Sequence, residues 1–190
     1  MYCVRSSSTA EETIRKSRFI SHMVPVSEPG DIKSILRHLS AEHPNASHIA
    51  FAFRIRTNSG IVSRFFDAGE PTGTAGRPIY QHLEGKDIIN CMLAVIRYFG
   101  GIKLGAGGLA RAYGNTARLA IESNHLIPFM EYCKIRVTME YNQLQQLEYW
   151  LKKRDAKIES RTYTEGIELV INLPEDDADE LKRLVAKHST

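Results

Sequence analysis

The chain is poor in thiols, in long apolar runs and, over one stretch, in acidic side chains. Of 190 residues three are cysteine, and Cys3, Cys91 and Cys133 are widely spaced with no CxxC pair. This excludes a disulfide frame or a thiolate metal centre and fits a reducing compartment. The three read as small buried or incidental thiols. No run of about eighteen apolar residues occurs, so a membrane-spanning helix is not expected. The opening MYCVRSSSTAEETIRK lacks the apolar core of a secretory leader. A cytoplasmic protein with no membrane partner is the expectation.

Recognisable chemistry is scarce too. There is no GxxxxGK[ST], no GxGxxG followed by an acidic ribose partner, no HExxH and no GxSxG. His38, His43 and His48 fall at five-residue intervals without cysteine partners, so no zinc site is expected. No catalytic residue, cofactor or metal is assigned, and a non-enzymatic role leads.

What is present is an ordinary globular composition, 43% hydrophobic and 25% charged. The net charge of +3 is unevenly spread. Through Met130 there are 15 Lys and Arg against 10 Asp and Glu, whereas Glu131 to Thr190 holds 10 against 12. Residues 88–121 carry Arg97, Lys103, Arg111 and Arg118 and no acid.

Two domains are expected, 1–129 and 130–190, with the boundary near HLIPFMEY, where Pro128 follows a helical pattern. In the first, FISHMVPV reads as a strand, DIKSILRHLSAEH as a helix stopped by Pro44, and HIAFAFRIRT and IVSRFFD as a hairpin about Asn58, Ser59 and Gly60. A loop, AGEPTGTAGRP, leads to a short helix that Thr74 is placed to cap. IINCMLAVIRYF reads as a buried strand. GGLARAYGNTARLAIESN reads as a helix with Leu109, Ala112, Thr116, Leu119 and Ala120 toward a core. The second domain reads β-α-β-β-α, most of a ferredoxin-like unit without its closing strand.

Two segments carry the candidate chemistry. RYFGGIKLGAGGLARAYG, Arg97 to Gly114, has six glycines, three cations and no acid. Glycine costs about 1 kcal/mol relative to alanine in a helix, so something requires it. Either the main chain packs closely or takes positive φ, or N–H groups at a helix start stay open to an anion, with Arg97, Lys103 and Arg111 converging there. FDAGEPTGTAGRP offers Asp67, Glu70, Thr72 and Thr74, as an acid/base or cation site, as ligand contacts, or as turn and cap chemistry. Aromatics alternate with cations at Phe51, Phe53 and Arg54, at Arg64 and Phe65, at Tyr98 and Phe99, and at Arg111 and Tyr113. Where exposed, such rings can stack on unpaired bases; strand alternation buries at least half of them.

RKSRFISHMVPV, AEHPNASH, DAGEPTGTAGRPI and RYFGGIKLGAGGLARAYG, in this order and spacing, closely resemble the bacterial YigZ proteins. The N-terminal domain of that family is similar to the one in the eukaryotic Impact translation regulator. The resemblance implies an α+β fold. Its first part would be an α/β sandwich like domain 2 of a small-subunit ribosomal protein, followed by a small ferredoxin-like C-terminal domain. It places one signature loop on Asp67, Gly69, Glu70, Pro71, Gly73, Thr74, Gly76 and Arg77. The other falls on Arg97, Tyr98, Gly100, Gly101, Lys103, Gly105, Gly107 and Gly108. Ala68 stands where a second acid is usual, and Ile49 and Ala50 replace a more polar pair after His48.

The leading expectation is a translation-associated protein binding RNA or a ribosomal surface. Arg77, Arg97, Lys103, Arg111 and Arg118 would meet phosphates, and the N–H groups near Gly105, Gly107 and Gly108 would add an anion site. The alternative is an enzyme or sensor holding a phosphorylated small molecule between the Asp67 to Arg77 loop and the glycine-rich corner. A protein partner in translational control is the third.

Overall fold

The computed structural model describes residues 1–186 and divides into two compact units, Met1–Phe129 and Met130–Thr190. Unit 1 is built on five strands, β2 (Ser8–Ile14), β3 (Ser17–Pro25), β4 (His48–Thr57), β5 (Gly60–Phe66) and β6 (Cys91–Tyr98). They lie in the order β2-β3-β6-β4-β5, and every neighbouring pair is antiparallel. Two short strands, β1 (Tyr2–Val4) and β7 (Leu126–Pro128), pair separately.

Helices cover both faces of the five-stranded sheet. Ala50, Ala52, Leu93 and Val95 face α2 (Gly76–Gly85) and α3 (Gly105–Glu122), sharing a core with Ile79, Leu83, Ala112, Tyr113 and Ala117. Phe51, Phe53, Met92 and Ala94 alternate with them and face α1 (Asp31–Glu42), meeting Ile32 and Leu39. Strand β6, central and covered on both sides, is buried at seven of its eight positions, which is why its sequence is continuously apolar rather than alternating. The C-terminal end of the central strand sets the site. Register places His48 of β4 and Phe19 of β3 on either side of Arg97, all on the α3 face of the sheet.

The helix α1 ends at Glu42, with His43 closing it through a bond to the Leu39 carbonyl, two residues ahead of Pro44. Leu119 of α3 is half-buried, while the other four residues expected on its core face are buried.

Unit 2 holds β8 (Tyr132–Met139), α4 (Leu144–Lys152), β9 (Lys157–Tyr163), β10 (Ile167–Pro174) and α5 (Ala178–Ala186). The strand order is β8-β10-β9, all antiparallel, as in a ferredoxin-like unit before its closing strand. That closing strand would fall outside the described residues. In β10, Ile167, Leu169, Ile171 and Leu173 are buried and alternate with half-buried residues, the signature of a sheet covered on one face. Leu147, Trp150, Leu151 and Leu181 supply the helical side of that core. The Trp150 indole N–H donates to Glu180, which also receives Arg154 at 2.7 Å. The mixed α/β, two-domain architecture agrees with the expected fold class.

Candidate functional site

Asp67 organises the first signature loop. Its Oδ2 accepts from the Gly73 N–H at 2.8 Å, and its Oδ1 accepts from Ala75 and Gly76 at 3.0 and 2.8 Å. Burial pushes the Asp67 carboxyl up, and the three backbone donors outweigh it, leaving the group below its ordinary value. The start of α2 is therefore held by Asp67 and not by Thr74, whose hydroxyl instead donates to the Pro71 carbonyl at 2.7 Å. Two facing backbone amides and a carboxylate make the stronger cap, because the acceptor is charged and sits at the positive end of the helix.

That loop delivers Glu70 into the fold. Glu70 Oε1 accepts from Arg97 Nη1 at 2.6 Å and from the Tyr113 hydroxyl at 2.8 Å, and the Glu70 and Arg97 side chains are only 3% and 7% exposed. Burial raises the Tyr113 hydroxyl far above its ordinary value, reinforced by the Glu70 charge it faces, so it stays a donor. Arg97 Nη2 reaches Ser17 Oγ at 3.5 Å, and its Nε is buried without a partner among the described residues. The guanidinium also lies over the Phe19 and Phe99 rings. The expectation that Arg97 meets phosphate is thus corrected: a buried carboxylate already takes its charge.

The corner after β6 needs glycine for more than one reason. A Cβ at Gly100 would lie 2.0 Å from the Lys16 carbonyl, so only glycine permits that approach, and the Gly100 N–H donates to buried Ser17 Oγ at 3.1 Å. Gly105 opens α3 at φ +71°. Gly107, by contrast, is exposed within the helix with nothing within 4 Å of an added Cβ. The residue ahead of α3, Leu104, makes no side-chain cap bond, and the first turn carries no acid.

Between loop and corner lies a cavity of about 470 Å³. Glu70, Pro71 and His48 border it on one side, and Arg97, Phe99, Lys103, Leu104, Gly105, Ala106 and Leu109 on the other. His48 Nδ1 lies 2.9 Å from the Ala68 carbonyl, which can only accept, so Nδ1 carries the proton; Nε2 lies 4.0 Å from Glu70 Oε1.

Of the residues singled out from sequence, the fold gathers Glu70, Pro71, Arg97, Lys103 and Gly105 around this cavity. Lys103, Arg111 and Arg77 are exposed and, among the described residues, outside every ion pair. Arg118 is half-buried and paired with Glu122 at 2.7 Å, so its charge is largely spoken for. Arg77, Arg111 and Arg118 do not border the cavity. Of the interleaved aromatics, Phe51, Phe53 and Tyr113 are core, Arg54 is buried against the Leu83 and Ile88 carbonyls, and Phe65 and Phe99 are exposed. Sequence reasoning passed over Ser17, Ser47 and the role of His48; their signal is only cross-strand register. Burial pushes the Cys91 thiol up to about 12, so it is no nucleophile at neutral pH.

A model of the Impact N-terminal domain matches residues 15–121, and one of a domain of unknown function, DUF1949, matches residues 137–188. An IMPACT family member of Haemophilus influenzae is 33% identical over 172 residues, covering 90% of this chain and 84% of its own. IMPACT family member YigZ of Escherichia coli is 36% identical over 171 residues, 87% of this chain and 82% of its own. A crystal structure described only as a hypothetical protein superposes with a TM-score of 0.70 at 31% identity, over 99% of this chain and 92% of that one. The Protein IMPACT of Homo sapiens is 29% identical over 117 residues, 60% of this chain and 36% of its own. With an Impact N-terminal domain followed by a DUF1949 domain, the chain belongs to the IMPACT family, in the two-domain form of its bacterial YigZ-type members.

Proposed function

We propose that this protein is a translation-associated regulator that binds RNA, free or at a ribosomal surface, through its basic glycine-rich corner. The observation that carries this reading is the pairing of open charge with open backbone. Lys103 and Arg111 are exposed and, among the described residues, without ion-pair partners, and between them α3 begins with no side-chain cap and with an exposed glycine, Gly107, that no packing requires. Such a helix start attracts phosphate through its N–H groups and dipole. The resemblance to the Impact regulator supports translation as the setting.

Three cations, Lys103, Arg111 and Arg77, are available, since Arg97 and Arg118 are engaged by carboxylates. Neutralising about three phosphates of a single strand gives a slope of log K against log salt near −2. The test is RNA and ribosome co-sedimentation across a salt series, with wild type compared to Lys103→Glu combined with Arg111→Glu. The double reversal is expected to abolish binding at moderate salt; unchanged affinity and slope would sink the reading.

A second reading has one specific observation behind it. The cavity spans Glu70 and Pro71 of the first loop and Lys103 and Gly105 of the corner, the place where a phosphorylated small molecule would sit. Saturable binding of such a compound by wild type, without RNA binding, would favour it.

A further inference from the structure

We infer that the cavity at the corner receives one unpaired nucleobase of a single-stranded RNA, stacked on Phe99. This rests on the RNA reading above and adds to it which part of the RNA is held, and how. Phe99 borders the cavity while half its surface is exposed. It is also fixed in place. The Arg97 guanidinium lies 5.3 Å from the ring centroid, and the Phe99 N–H donates to Ser47 Oγ at 3.0 Å. Pro71, Leu104, Ala106 and Leu109 make the remaining walls largely carbon, which suits a flat guest with apolar faces.

The polar groups are few and are matched to a nucleotide. Because His48 Nδ1–H is committed to the Ala68 carbonyl, neutral His48 presents Nε2 as an acceptor, the complement of a base N–H or amine. Lys103 borders the same cavity as an exposed cation, within reach of the phosphate that follows a bound base. Residues 88–121 contain no carboxylate, and Glu70, the carboxylate that borders the cavity, is paired with Arg97. A paired base cannot enter without losing its stack and its partner, so duplex RNA pays an unpairing cost that a single strand does not.

The test uses the full chain and a fluorescein-labelled RNA of about twelve nucleotides, alone and annealed to its complement, read by anisotropy. Wild type is expected to prefer the single strand. Phe99→Ala is expected to weaken single-strand binding by about 5- to 150-fold, the range for removing one base-stacking ring, while leaving duplex affinity and the salt slope unchanged. Phe99→Tyr is expected to retain binding. Ala106→Phe fills the cavity from an exposed position on α3 and is expected to remove the single-strand preference without altering Phe99; circular dichroism checks that each variant is folded. If Phe99→Ala and Ala106→Phe both bind as wild type with the wild-type slope, the base pocket is overturned and the RNA reading stands. If wild type binds neither RNA form, both fall. If adenosine monophosphate binds as tightly as the oligonucleotide, the cavity serves a small phosphorylated ligand and the inference is overturned.

Discussion

Replacing Arg97 by methionine tests whether the Glu70–Arg97 pair is the internal anchor of the site. The substitution keeps the length and the apolar stem but removes the charge from a carboxylate whose side chain is 3% exposed. Glu70 would keep the Tyr113 hydroxyl and lose its cation. Removing one member of a buried pair costs about 3–5 kcal/mol, because the remaining charge is left desolvated, whereas an exposed pair is worth about 0–1 kcal/mol. With a urea dependence of about 2 kcal/mol/M, the midpoint of unit 1 is expected to fall by about 1.5–2.5 M. The assay has a built-in control. The chain has one tryptophan, Trp150, in the core of unit 2, so its emission follows that unit while circular dichroism follows both. The loss is expected in circular dichroism and not in Trp150 emission. Glu70→Gln is expected to cost a similar amount, and the double variant much less than the sum, since no charge is then orphaned. Single variants that lose less than about 1 kcal/mol, or that add in the double, would refute the assignment of this pair as buried and coupled.

Asp67→Ala removes the acceptor for three backbone N–H groups and is expected to cost about 0.5–2 kcal/mol near pH 7, by thermal or urea unfolding. Because the folded-state value of Asp67 is depressed, its contribution is present above the ordinary 3.8 and is lost as pH falls through the folded value. The difference between wild type and variant is therefore expected to shrink in acid, and a constant difference from pH 7 to 3 would count against this cap. Gly107→Ala is expected to leave the fold unharmed or stabilise it by up to about 1 kcal/mol, while weakening RNA binding by crowding the start of α3. Equal RNA affinity for the two proteins would mean that the first turn is not approached by phosphate.

Much of the fold follows from local pattern. The apolar run at Cys91–Tyr98 is a buried strand, the 3.6-residue spacing of α3 marks its buried face, and Asn58 to Gly60 join β4 to β5 as a hairpin. The N-terminal strands β1 and β2 leave no such pattern, because Ser8–Ile14 alternates only between exposed and half-buried and offers no strong apolar face. Strand β1 pairs with distant β7, which leaves little local trace, and β2 joins adjacent β3 through a two-residue turn at Arg15 and Lys16, both at positive φ without the glycine or asparagine that marks such turns. The cap of α2 shows the same limit. Thr74 sits at a plausible spacing for it, but the group that reaches the amides, Asp67, is supplied by the curl of the loop.

The site divides in the same way. Sequence by itself determined that glycines and cations cluster after a buried strand, that acids are missing from residues 88–121, and that Glu70 lies in a second glycine-rich loop, because composition and local turn chemistry do not depend on the fold. Only the tertiary structure decided which cations are free. Arg97 faces inward because the register of β6 puts it between His48 and Phe19 on the helix side of the sheet, where the loop places Glu70 against it. Lys103 and Arg111 are exposed and, among the described residues, no carboxylate pairs with them. The cavity between the two loops, with Phe99 at its edge, exists because segments some thirty residues apart meet, and charge in a sequence carries no record of which partner will be nearby.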